Sequence, residues 1–136
     1  MDALDLENAS IAYNCGRLLA AVDRLQQVSS NYKVKLTIGQ KYFKSASKMP
    51  GKIMTMALSN EENYIKKLDN EGTKVYFIRL IGDISERVGT SIPEKFNKTE
   101  QGEFMLGYFY QSKEFCKKDN TEKTMDVTEV VNKEDE

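Results

Sequence analysis

Between Arg24 and Asn60 the chain carries seven basic residues, Arg24, Lys33, Lys35, Lys41, Lys44, Lys48 and Lys52, and not one acid. A solvated helical surface ordinarily interleaves both signs, so a single-sign run of this length reads as a footprint for a polyanion. The chemistry on offer is charge pairing with phosphate. Lys41, Lys44 and Lys48 fall at i, i+3 and i+7 and share one face of a helix; Lys52 follows shortly after. Arg17 sits beside the apolar Leu18, at the edge of a buried stripe, and Arg24 lies seven residues on, nearly on the same face. Arg17 either contacts phosphate or pairs with an acid to fasten the fold. Arg17, Arg24, Lys41, Lys44, Lys48 and Lys52 are therefore the candidate nucleic-acid-binding residues. Tyr42 and Phe43 offer rings for stacking on unpaired bases, although one of these neighbours must face the core. The rival reading is a helical adaptor whose basic face docks an acidic protein and never touches nucleic acid.

Other chemistries lack their residues. The sequence has no histidine, the commonest general base and metal ligand. It has no glycine-rich phosphate loop, paired-cysteine site or nucleophile elbow. Acid pairs such as Glu61-Glu62 are commonplace on surfaces, and adjacent helical residues point about 100° apart. Cys15 and Cys116 are far apart in sequence and read as small buried hydrophobes in a reducing compartment. A binding protein is expected, with no catalytic residue, metal or cofactor.

Helices must position these side chains. Ile11, Cys15, Leu18, Val22, Leu25 and Val28 recur at spacings of three and four and predict a first helix from about Glu7 to Ser29. Thr37 caps a short second helix with Ile38, Tyr42 and Ala46 inward. Pro50 opens a third that runs to about Asp69, with Ile53, Met56, Ala57, Tyr64 and Leu68 toward the core. Asn70-Glu71-Gly72 reads as a turn. A fourth helix spans roughly Lys74 to Val88 on a stripe of Val75, Ile78, Ile81, Ile84 and Val88, and Gly89 ends it. The β-branched content of Val75 to Ile78 suits a strand, but the periodicity favours a helix. Asn97 or Thr99 caps a fifth, with Glu100 completing a capping box on Asn97, and Phe104, Leu106, Tyr108 and Phe115 fill it to near Lys118. Gly16 and Gly107 lie inside helices, where glycine costs about 1 kcal/mol, and point to close helix–helix approach.

The expected fold is all-α: a small bundle of about five helices over residues 1–118, followed by a disordered acidic tail, 119–136. That tail holds seven acids and two lysines, so the overall charge of −1 conceals a surplus of +4 in the bundle. Met125 to Val131 is the part of the tail suited to ordering against a partner. No apolar run approaches the roughly 20 residues of a membrane span, and the acidic N-terminus is unlike a signal peptide. A cytoplasmic protein is expected.

Three clusters carry a resemblance. They are Ala12-Tyr13-x-x-Gly16-Arg17-Leu18-Leu19-Ala20, then Lys41-Tyr42-Phe43-Lys44-Ser45-Ala46-Ser47 followed by Pro50, and Gln101-Gly102-x-Phe104-x-x-Gly107-Tyr108 closed by Gln111. In this order and at these distances they resemble the C-terminal helical domain of the large subunit of type I-C CRISPR Cascade. In that family the same domain is also made separately, from an internal start, as the small subunit. With Met1 shortly before the first cluster, the chain looks like that free small subunit. The resemblance implies partners: the backbone filament and large subunit, the crRNA-containing complex and the target DNA strands, with more than one copy per complex. It also implies a role in holding DNA strands while the R-loop opens. Lys41 stands where that family usually has arginine, which keeps the charge and loses the bidentate fork. Cys15 replaces an aliphatic residue and Tyr110 stands where histidine is common.

Overall fold

The computed structural model describes the backbone of residues 4–130 and the side chains of residues 4–117. Six helices follow one another: α1 (Ile11–Ser29), α2 (Ile38–Lys48), α3 (Pro50–Leu58), α4 (Glu61–Lys66), α5 (Glu71–Val88) and α6 (Lys98–Val130). No strand occurs among the described residues. The all-helical bundle predicted by periodicity is the fold.

Most of the stop and start signals act as read. Thr37 and Gln40 form a reciprocal capping box at the head of α2, and Pro50 occupies the first turn of α3. Asn97 and Glu100 bond each other's backbone N–H at 2.8 Å, which selects Asn97 over Thr99. Gly89 ends α5 with φ 83°.

Four boundaries differ. The first helix begins at Ile11 and not near Glu7, because Ser10 is its N-cap and accepts from the Tyr13 N–H. The single helix expected from Pro50 to Asp69 is two, α3 and α4. Between them the Ser59 hydroxyl donates to the Met56 carbonyl at 2.8 Å, the kind of side-chain bond that competes with helix continuation. Asn70 is not in a turn but is the N-cap of α5, accepting from the Thr73 N–H at 3.0 Å, so that helix begins at Glu71. Finally, α6 continues as helical backbone past the expected end near Lys118 to Val130. The tail's side chains and residues 131–136 lie outside the described residues, and with them the expected disorder.

Helix α1 is the axis of the molecule. Every residue from Ala12 to Asp23 is buried, and α2, α3, α4, α5 and α6 all pack on it. A helix buried on all sides must be built from apolar and small residues, as Ala12, Gly16, Leu18, Leu19, Ala20, Ala21 and Val22 are. Its polar members are satisfied: Asn14 donates to the Asn8 and Ser10 carbonyls at 2.9 Å. Against it α6 runs parallel, since Ser10 meets Glu103, Tyr13 meets Gly107, Arg17 meets Gln111 and Arg24 meets Phe115 in ascending order. The two backbones touch. A Cβ at Gly16 would run into the Phe104 carbonyl, and one at Gly107 into the Tyr13 carbonyl. These glycines are the close approach that their placement implied.

The core departs from expectation by single helical steps. On α5 the buried stripe is Phe77, Ile81, Ile84 and Val88, leaving Val75 and Ile78 exposed. Phe77 turns inward to meet Phe115, with ring centroids 6.5 Å apart. Met54 and not Met56 is buried on α3, and Ile11 and Leu106 are partly outside. Cys15 is buried, and burial pushes its thiol up to about 12. Cys116 is exposed, contrary to expectation, because it falls on the side of α6 turned away from α1.

Candidate nucleic-acid interface

The fold drives the α2 lysines outward. On the inner side of α2, Ile38, Gly39, Ala46 and Ser47 are buried. Phe43 packs on Phe104 and Tyr108, with ring centroids at 5.7 and 4.8 Å. Lys41, Lys44 and Lys48 lie within an arc of roughly 60°, opposite that inner side, and all three are exposed. Lys52, in the first turn of α3, is exposed as well, as are Lys33 and Lys35 in the α1–α2 connection.

Both ends of α2 are pinned by other parts of the chain. Asp23 of α1 accepts the Gly39 N–H at 2.6 Å and Gln26 accepts the Ile38 N–H at 2.7 Å. At the other end the Lys48 carbonyl accepts the Phe96 N–H at 3.0 Å. Asp23 is the acid bordering the basic stretch, yet it is only 8% exposed and spends its carboxylate on the α2 N-terminus and on the Gln27 amide. Asp23 is thereby turned away from the outer face of α2, a helix that has no acid of its own, while at the α2–α3 junction the backbone of exposed Glu94 lies against Gly51.

Arg17 is not part of that face. It is 3% exposed, and its Nε donates to the Gln111 Oε1 at 3.0 Å and its Nη1 to the Asn14 Oδ1 at 3.1 Å. Of its two open readings the fastening one describes the geometry, with amide oxygens in place of an acid. Burial, and then neighbouring Arg87, hold its guanidinium below the ordinary value. Arg17 also borders a cleft of about 410 Å³ lined by Leu6, Leu80, Asp83, Glu86 and Arg87. Two arginines meet two acids there, so the cleft has no surplus charge for a polyanion.

Arg24 is half-buried, with its guanidinium 5.6 Å from the ring centroids of both Phe115 and Tyr32. Of the two rings singled out for stacking, Phe43 is committed to the aromatic core, and Tyr42 is half-buried with Lys41 Nζ 5.3 Å from its centroid. Sequence reasoning passed over Tyr32, the most exposed ring of the basic stretch at 58%. The available signal was its place between Arg24 and Lys33, just past the Ser29-Ser30 helix stop.

Among the described residues no three His, Cys, Asp or Glu side chains converge as metal ligands would. None of the described helices is long and apolar enough to cross a membrane. Comparison with curated proteins finds no match. A family model does match residues 1–116, its description being CRISPR-associated protein Csd1. That span includes all of the basic stretch and the α1–α6 crossing. The chain belongs to the CRISPR-associated Csd1 family and is a type I-C, Cascade small-subunit-like protein.

Proposed function

We propose that this chain is a non-catalytic subunit of a type I-C Cascade complex that holds DNA backbone and stabilises the R-loop during crRNA-guided target recognition. The observation that carries this reading is the outward face formed by Lys41, Lys44 and Lys48 of α2, a helix without acids, followed by exposed Lys52 in the first turn of α3. In RNA-guided recognition, base pairing reads the sequence, while protein contacts need only hold strands. Exposed lysines suit that task, since phosphate contacts position a strand without reading it. Arg24 belongs to the same basic stretch; Arg17 serves the fold. The partners are the backbone filament and large subunit, the crRNA they carry and the target strands, with more than one copy of this chain in a cytoplasmic complex.

The experiment is co-purification of the tagged full chain from cells that express the other type I-C subunits and a CRISPR array, with sequencing of the RNA retained. Recovery of the filament subunits together with crRNA supports the reading. Recovery of a single acidic protein without RNA would replace it with the adaptor reading.

A further inference from the structure

The turn after α1 places a strained, exposed aromatic residue among positive charges. Asn31 and Tyr32 both have left-handed backbone, at φ 60° and 62°. Asparagine tolerates that conformation, whereas a bulky side chain such as tyrosine rarely adopts it. The turn is nevertheless firmly tied. The Ser30 N–H donates to the Gln26 carbonyl at 3.1 Å, that of Asn31 to Val28 at 3.1 Å, that of Tyr32 to Gln27 at 2.7 Å and that of Lys33 to Ser30 at 3.2 Å. Strain held in place this way is a recognised mark of functional positions.

The ring completes a stack that begins in the core. Phe115 is buried, the Arg24 guanidinium lies over it, and the same guanidinium lies over Tyr32. Tyr32 is the outermost member and is 58% exposed, more than a ring covered on both faces would be. Lys33 and Lys35 follow it, both exposed. The acid-free stretch contains three rings, and Tyr42 and Phe43 are half-buried.

We propose that Tyr32 is a stacking site for an unpaired nucleobase, backed by Arg24 and Phe115, with Lys33 and Lys35 placed for the phosphates on either side of that base. The ligand class is single-stranded nucleic acid. Every base offers a π-face, so the site is indifferent to sequence. This inference rests on the proposed role of the basic stretch and gives it a second kind of contact, to bases as well as backbone.

The test uses fluorescence anisotropy with the full chain and two labelled probes. One is a short single-stranded oligothymidine, the other an abasic strand with the same number of phosphates. Tyr32→Asn removes the ring and keeps a residue that tolerates the left-handed turn; Tyr32→Phe keeps the ring. Tyr32→Asn should weaken oligothymidine binding by roughly five- to a hundredfold and leave abasic binding unchanged, with Tyr32→Phe close to wild type. Equal weakening on both probes would mean that the ring only supports the basic turn, and the inference would fail. It would fail equally if Tyr32→Asn bound both probes like the wild type. Wild-type protein that bound neither probe would overturn the reading of the basic stretch itself, and this inference with it.

Discussion

Arg17 is 3% exposed at the edge of a cleft, and the bonds its guanidinium makes favour the fastening role. Its fork holds Gln111 of α6 and Asn14 of α1. Arg17→Ala should destabilise the fold by about 2–4 kcal/mol, because two buried amide oxygens lose their donors. Arg17→Lys should recover little, since an ammonium lacks the fork that reaches both. Urea unfolding measures both effects; a variant with unchanged stability but weakened DNA binding would contradict the structural assignment. The sequence held a clue. From Ala12 to Leu25 the only charges are Arg17, Asp23 and Arg24, too few for a helix with a wet face. The lysines of α2 were legible because charge pattern and helical spacing agreed. Tyr32 was not, because its left-handed backbone and its link through Arg24 to Phe115, far along the chain, emerge only in the fold.

At the scale of elements, legibility followed capping chemistry. Thr37, Pro50, Gly89 and the Asn97–Glu100 box were readable because each satisfies or terminates a helix end by local rules. The second turn of α5 was ambiguous because Val75, Tyr76, Phe77 and Ile78 are all apolar or aromatic, and it is packing into the core, beside Phe115 among others, that selects Phe77. The α3–α4 break was hidden because apolar spacing continues through it. The glycines differ in what surrounds them. Gly16→Ala or Gly107→Ala gains about 1 kcal/mol of helix propensity but drives a methyl into a backbone carbonyl, so each should lower the melting temperature. Gly82→Ala, where a Cβ meets nothing within 4 Å, should instead raise stability by about 0.5–1 kcal/mol. Calorimetry of the three variants checks the signs. A stabilised Gly107→Ala would mean that α1 and α6 do not cross this closely.

The whole molecule is organised by two opposed helices: an inward α1 axis that absorbs Asp23 and Arg17, and an outward α2 that presents lysines without acids. The matched family span ends at residue 116, and the acidic stretch begins just beyond it, at Asp119. Truncation after Lys118 should therefore leave incorporation into the complex intact, as measured by co-purification; failure to incorporate would make the tail an assembly element. The central claim is tested most directly by reversing the charge of Lys41, Lys44, Lys48 and Lys52 together and measuring target-DNA binding by the assembled complex across salt concentrations. Exposed lysines contribute little to stability, so the variant should fold and assemble. R-loop formation should weaken to a similar degree on unrelated target sequences. The slope of log affinity against log salt should fall in magnitude by about 0.7–0.9 for each lysine–phosphate pairing that the reversal removes. Unchanged target binding by an intact complex would contradict the account, and a folded variant that failed to assemble would move the function of this face to protein docking.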